Sequence, residues 1–557
     1  MSETTEIHFY KMNHFWLDSG LLGLAVILKE LKPEIKMIIN DAGLTLGGTE
    51  DALRDALKRA YDLLIERYYN LSTKKQKEDM SGFFYNSDEK CIKRFARKQL
   101  GGIPGLLYGE NQIFQYKNGI KWADKKMHRL PEEYIEVQEV LDEFIATSGI
   151  KPSIGILLLD GPYEFRPKIG EFHLSKKGKI KKCFLCGQQV YGEVKEITKG
   201  TYPFITSSSG FKTFNSFCSS AEQVCWKCDY VSKFAPVNGF YFTNKSKQNE
   251  EMFIFFPYSI SFEKMLEIYP PLEEAKYNDP YLFRNFQQPF GGDSTLQKPF
   301  EVAFVFLYTI YDKLLRLQKA VDGEVQEFWE RVIDFAVSRA PVEFVVLHAE
   351  SKGQTTMGKM VWPFRDSVYF FRLMKEIEES GINIKEVMNL LVDPSLFSKK
   401  GRVGGNKTLI RNRVCERILK KQPAIDLIEY HAFHSERTYI YPLLEFVNKF
   451  DPMVRKGVEG MTLEEQSVAV TLGKRIGMTV GNNGKKGDLF ALRKTRRKAD
   501  FLNELTRLQF KCELTVPPDV YEGKLTDANF IEFKQFCMLA ALNSFYAATH
   551  SGKGEKP

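Results

Sequence analysis

The sequence predicts an α+β protein: a mixed α/β N-terminal region with an inserted four-cysteine metal module, followed by a C-terminal helical bundle. Three observations carry that expectation. Two CxxC pairs, Cys183 with Cys186 and Cys225 with Cys228, stand with 38 residues between them. Up to about residue 350, short apolar runs of strand type mix with helical periodicity. Beyond it, nearly every segment repeats its apolar residues at helical spacing and is closed by Gly or Pro. The expected organisation is residues 1–170 as the N-terminal α/β domain, 171–240 as the metal module, 241–350 as the remainder of the α/β domain, and 351–557 as the helical domain.

The metal module follows from local geometry. Two residues between cysteines let both sulfurs of a tight turn face one centre, and two such turns supply the four thiolates of a tetrahedral zinc site. Gly187, just past Cys186, suits the positive φ that such a turn ends on. Chance CxxC turns or a redox dithiol are the competing readings. A dithiol enzyme needs only one pair at a helix N-terminus, so two pairs point to structural Zn2+. Cys218, lying between the pairs, is an alternative for one ligand. An odd total of nine cysteines, four of them in metal spacing, points to a reducing compartment. The polar, acidic opening Met1–Glu6 lacks the features of a secretory signal, and the longest apolar runs, such as Leu21–Leu28, are too short to span a membrane. Cytoplasmic location without a membrane partner is the expectation.

In chain order, the first helix is expected from Asp18–Ser19, as its N-cap, to about Leu31, with Pro33 stopping it. A second runs from Thr49, its cap, with Leu53, Ala56, Leu57, Ala60, Leu64 and Tyr68 as one stripe. Residues 98–116, broken by four glycines and Pro104, read as a loop. Ile154–Asp160 reads as a buried strand. Strands are also expected at 252–262 and 342–347, with helices at 297–317 and 325–339. The later helices are expected at 365–379, 384–391, 406–421, 424–449, 462–475, 488–510 and 526–548.

Catalytic constellations are scarce. His431 and His434 are an i, i+3 pair without the glutamate of a zinc protease motif, and core or surface histidines are the plainer reading. Phe290-Gly-Gly-Asp-Ser294 superficially resembles a polymerase GGDD hairpin, but Ser294 replaces the second acid that metal binding needs. Neither a P-loop nor a nucleophile elbow is present. The chain is therefore expected not to be an enzyme.

Binding is the stronger expectation. The net charge of +8 is modest, but the cations cluster. Lys399, Lys400, Arg402 and Lys407 form a basic loop that leads into a helix with Arg411 and Arg413. Gly481–Gly487, with Lys485 and Lys486, reads as a second basic loop before Arg493, Arg496 and Arg497. Two loop-to-helix cationic elements in one domain suit contact with a phosphate backbone. Inside the metal module, Ser207, Ser208, Ser209, Lys212, Thr213 and Asn215 form a donor-rich loop anchored at both ends by cysteine knuckles. A solvated helix face and a plain surface loop are the competing readings.

Asn13-His-Phe-Trp-Leu-Asp-Ser-Gly-Leu-Leu-Gly23, the CxxC pairs, and the stretches Leu472–Gly477 and Asp488–Arg493 are similar to the CRISPR-associated CXXC-CXXC proteins. These are large subunits of type I, I-B-like Cascade effector complexes. The resemblance implies partnership with CRISPR RNA, target DNA and the Cascade backbone and other subunits. It further implies reading of a protospacer-adjacent motif, with the 207–215 loop as candidate reader, and help in opening the duplex to an R-loop. A helicase-nuclease or a transposition adaptor would be recruited in trans. In several relatives a small subunit is made from the C-terminal region, for which Met453 or Met461 would serve as internal start. A stand-alone zinc-ribbon protein adaptor and a metal-dependent nuclease are the alternatives, the latter needing acids around Asp293 or the His431 pair.

Overall fold

The computed structural model describes residues 4–65, 71–72, 83–94, 98–99, 112–115, 118–149, 151, 156–161, 164–167, 169–174, 180–192, 194–197, 201–202, 223–245, 249–267, 298–320, 343–352, 355–365, 367–392, 408–435, 437–455, 460–483 and 485–551. The architecture is α+β and divides into two compact units. Met1–Gln287 with Ala320–Asp366 form the first, and Gln288–Lys319 with Ser367–Pro557 the second. Every described strand belongs to the first unit.

In the first unit, strands β1 (Thr5–Tyr10), β2 (Lys36–Asn40) and β3 (Gly43–Gly48) form an antiparallel sheet of order β1-β3-β2. Helix α1 (Phe15–Leu31) is buried along most of its length, from Trp16 through Ala25 and at Ile27 and Leu28. Helix α2 (Glu50–Leu64) buries Leu53, Ala56, Leu57, Ala60 and Leu64 of the expected stripe, whose last member Tyr68 lies outside the described residues, and Thr49 caps it by accepting the Ala52 N–H at 3.3 Å. The expected cap of α1 is corrected. The helix begins at Phe15, so Asp18 and Ser19 lie inside it and are fully buried. Asp18 instead ties down the chain that enters the helix: it accepts the Met12 N–H at 2.7 Å and lies 3.3 Å from Lys11 Nζ. At the other end Lys32 turns left-handed, its N–H bonds Leu28 O at 3.1 Å, and Pro33 follows.

A second core in the same unit gathers Phe83, Tyr85, Ile120, Trp122, Leu157 and, from helix α3 (Ile135–Ser148), Leu141. Its sheet comprises Phe83–Asn86, Cys91–Arg94, Asn118–Lys121 and the anticipated strand Ile156–Leu159. The stretch 98–116, read as a loop, contributes Lys98–Gln99 and Gln112–Gln115 to two-stranded pairs. Glu343–Lys352 and Thr355–Phe364 complete a four-stranded antiparallel sheet with Phe240–Lys245 and Asn249–Tyr258.

The division differs from the composition shift in two places. The hairpin keeps residues 355–364 with the first unit, beyond the boundary read at 350. Helix α5 (Pro299–Ala320) joins the helical unit, because its apolar face meets α6 (Ser367–Glu379). There Phe304 lies edge-on to Phe370, centroids 5.2 Å apart, and the Tyr308 and Tyr311 hydroxyls each donate to Glu378 at 3.1 Å. An apolar helical run reads alike whichever unit it packs in.

The second unit continues with α7 (Ile384–Leu390), α8 (Leu409–Leu419), α9 (Ile425–His434), α10 (Tyr441–Arg455), α11 (Leu463–Asn483), α12 (Lys486–Lys494), α13 (Lys498–Cys512) and α14 (Phe530–Ser551). Two expected helices are each broken in two. Between α9 and α10, Pro442 lacks the N–H that a continuing helix would need and stands in the first turn of the new one. Between α12 and α13, Thr495 turns extended (φ −60°, ψ 139°), and its carbonyl accepts Lys534 Nζ at 2.6 Å. The expected loop 481–487 is mostly helical, since α11 runs to Asn483 and α12 opens at Lys486. Three glycines of α11 face α14: a Cβ on Gly473 would stand 2.1 Å from Cys537 O, one on Gly477 2.1 Å from Ala541 O, and one on Gly481 2.7 Å from the Ala548 Cβ. The expected helix at 325–339 lies outside the described residues.

Candidate metal centre and cationic faces

The first knuckle is a hairpin between Ile180–Lys182 and Gln189–Tyr191. Gly187 takes φ 65° at its turn, donating its N–H to Cys183 O at 2.9 Å, while the Cys183 N–H reaches Gln188 O at 3.0 Å. The second knuckle is a strand end. Gln223–Cys225 leads directly into helix α4 (Trp226–Ser232), with Cys225 as N-cap and Cys228 in the first turn. The two meet through the Phe184 N–H and Gln223 O at 2.8 Å.

This brings Cys183, Cys186, Cys225 and Cys228 together with all four Sγ within 4.8 Å of one another. Cys183 to Cys228 and Cys186 to Cys225 are both 3.9 Å. A zinc–sulfur bond of about 2.3 Å in a tetrahedron places sulfurs about 3.8 Å apart, a spacing that these two pairs match. The donor set fits as well, four soft thiols with the Cys225 N–H pointing at Cys183 Sγ from 3.3 Å. Three of the four are buried and Cys186 is partly exposed. Thiols so close cannot all ionise unaided. Hydrogen bonds from Cys186, Cys225 and Cys228 drive the Cys183 thiol far down, and Cys228 is pushed up, first by Cys183. A divalent cation removes that conflict.

The centre is built into the core of its unit. A Cβ on Gly20 would stand 2.2 Å from Val231 O and one on Gly23 2.5 Å from Phe234 O, so α1 carries glycine where the chain after the second knuckle crosses it. Asn238 Nδ2 donates to Ser19 O and the Tyr230 hydroxyl to Leu57 O at 2.6 Å. Asp229, next to Cys228 and fully buried, accepts Thr201 Oγ1 at 2.9 Å and Lys233 Nζ at 3.0 Å and pairs with Lys195. Burial pushes its pKa up, but Lys233 and then Lys195 outweigh burial and hold it below the carboxylate range. These supports escaped the sequence reading, although the small residues at 20 and 23 in an apolar helix were the available signal. Beside the cysteines lies a cleft of about 150 Å³ lined by His8, Tyr10, Gln188, Gln189 and Lys227 among others.

The cations assigned to nucleic acid divide sharply. Arg411 is corrected: it is fully buried and lies 3.5 Å from buried Glu301. Asn412, its neighbour, accepts the Phe300 N–H at 3.0 Å, so this face of α8 packs on α5 rather than meeting solvent. Arg493 is also spent internally, in a two-pronged pair with Glu429 at 2.6 and 3.1 Å and 4.9 Å from the Phe433 ring centre. Lys486 Nζ lies 2.6 Å from the Tyr546 hydroxyl and 5.0 Å from the ring centre. Arg413, Lys485, Lys494, Arg496 and Arg497 are exposed. Lys399, Lys400, Arg402, Lys407, Cys218, Asp293 and the loop residues Ser207, Ser208, Ser209, Lys212, Thr213 and Asn215 lie outside the described residues.

His431 is buried with Nε2 2.8 Å from Leu390 O, and exposed His434 donates from Nδ1 to Tyr430 O at 2.6 Å. The four cysteines are the one group among the described residues placed to hold a metal ion. No helix among the described residues is long and apolar enough to cross a membrane. Compared with known proteins, the chain matches no family model and no curated protein.

Proposed function

We propose that this chain is a zinc-stabilised, nucleic-acid-binding subunit of an RNA-guided effector complex of the Cascade type. The observation that carries the reading is the four-cysteine cluster set into a helix-and-sheet core, paired with a separate helical unit carrying exposed Arg413, Lys485, Lys494, Arg496 and Arg497. On this reading Cys183, Cys186, Cys225 and Cys228 hold Zn2+ for structure. Residues 207–215 meet the adjacent motif, and the helical unit tracks phosphates. Chemistry on DNA belongs to a helicase-nuclease or transposition adaptor recruited in trans. The small subunit, where one is made, starts at Met461: Thr462 and Glu465 bond each other's backbone N–H at 2.8 and 3.2 Å, a ready helix start for α11.

Co-purification from the native cell, or with neighbouring genes, tests this. Short RNAs with a common repeat tag and a repeated backbone subunit are the expected result, and zinc-loaded protein without either would overturn it. In the purified chain, replacing Lys485, Lys494, Arg496 and Arg497 by Ala should flatten the dependence of log affinity on log salt by about one per lost phosphate contact. A second reading, a protein-binding zinc-ribbon adaptor, is favoured by the burial of Arg411 and the internal pairing of Arg493 and Lys486. It predicts a partner affinity indifferent to salt and no retention of DNA.

A further inference from the structure

The helical unit that carries these exposed cations also exposes an aromatic pair that no phosphate contact requires. Tyr430 is 50% exposed and stacks on exposed His434, ring centres 4.0 Å apart and planes 25° from parallel. The imidazole is pinned by its bond to Tyr430 O, so the pair presents a preformed flat surface. Its surroundings are arranged in charge. Arg493 lies 6.0 Å from the Tyr430 ring centre, and the adjacent carboxylate, Glu429, is neutralised by that same guanidinium. The acid one turn back in α9, Asp426, is 3.5 Å from Arg417. Three and four residues past Arg493, the break between α12 and α13 exposes Arg496 and Arg497, with Lys494 before them. None of the three has an acidic partner among the described residues.

An exposed stacked aromatic pair, its local acids paired and free cations alongside, matches the needs of unpaired bases on a phosphate chain. Bases stack on any flat π surface, while the backbone seeks cations a few residues away. A duplex hides its base faces and has no use for the rings. We propose that Tyr430 and His434 form a stacking platform for single-stranded nucleic acid, with Lys494, Arg496 and Arg497 holding the adjoining phosphates. This deepens, and rests on, the nucleic-acid reading of the helical unit.

The test uses the full zinc-loaded chain with fluorescent oligothymidine, oligouridine and a duplex of equal length, titrated at several salt concentrations. Tyr430→Ala with His434→Ala should weaken single-strand binding about tenfold, leave duplex binding unchanged and leave the salt slope intact. Tyr430→Phe should bind like wild type, because the ring rather than the hydroxyl stacks. Arg496→Ala with Arg497→Ala should reduce the single-strand slope by about 1.4. Equal losses on oligothymidine and oligouridine would mark stacking blind to the sugar, and a loss on one alone would identify the strand as DNA or RNA. Wild-type affinity in the Tyr430/His434 variant, or equal loss on duplex and single strand, overturns the platform while the nucleic-acid reading stands. A wild-type chain that binds no oligonucleotide at low salt overturns both.

Discussion

At the scale of single residues, charge in this chain is decided by partners far away in sequence. Arg411 belongs by spacing to a basic run, yet Glu301, 110 positions earlier, takes it into the core. Nothing around residue 411 announces that acid, whereas the four-cysteine cluster was legible because two-residue spacing is a local constraint. Cys183→Ser with Cys186→Ser should abolish stoichiometric zinc and unfold the first unit at lower temperature. Structural zinc in small modules contributes on the order of 10 kcal/mol. Elemental analysis with calorimetry checks this, and unchanged metal content and melting would refute it. Asp451 gives a pH dependence. It accepts the Ala424 and Ile425 N–H at 3.0 and 3.1 Å, capping α9 from α10, and burial raises its pKa to about 6 despite those bonds and Arg455. With the folded value raised, its contribution is full below the ordinary carboxylate range and fades as pH climbs through 6. Asp451→Asn should therefore gain on wild type by about 2 kcal/mol between pH 4 and pH 7. A stability difference constant over that range would show that ionising Asp451 costs nothing.

At the scale of elements, close helix crossings were the least legible feature. A glycine within a helical pattern reads as a weak point or a stop, and residues 481–487 read as a loop on that ground. Three glycines at spacing four mean something else once α14 arrives: they let two backbones approach to a distance that no side chain permits. Helix α14 is apolar around its circumference from Phe536 to Leu542, so it has no solvent face there to turn away. Gly477→Ala should thus destabilise the helical unit by about 1–3 kcal/mol, although alanine is the better helix former. Gly487→Ala, with nothing within 4 Å of the new methyl, should be neutral or stabilise by up to about 1 kcal/mol. Denaturant titration of both variants is decisive, and an equal response at the two sites would remove the crossing argument. Amphipathic α2 and its cap, by contrast, could be read almost whole, because one face and one Thr suffice to define it.

At the scale of the whole molecule, the composition shift at about 350 located the change of class but not the path of the chain. Strand pairing, which joins 355–364 to 343–352, and the contacts of α5 are both non-local, so neither shows in a window of sequence. A fragment ending at residue 350 should be largely insoluble, for it loses a sheet strand and strands α5 without its partners. The fragment 1–366 with residues 288–319 replaced by a short polar linker should stay soluble and hold zinc. Gel filtration and metal analysis of the two distinguish the proposed boundary from the compositional one. The crossing path also orders events during synthesis. The apolar helix α5, with Val302, Phe304, Val305 and Phe306 destined for burial, leaves the ribosome before the hairpin that closes the first unit and well before the helices that cover it. For that interval it is an exposed hydrophobic segment between a sheet awaiting its last strands and a bundle not yet made, and the nascent chain is open there to chaperones and to aggregation.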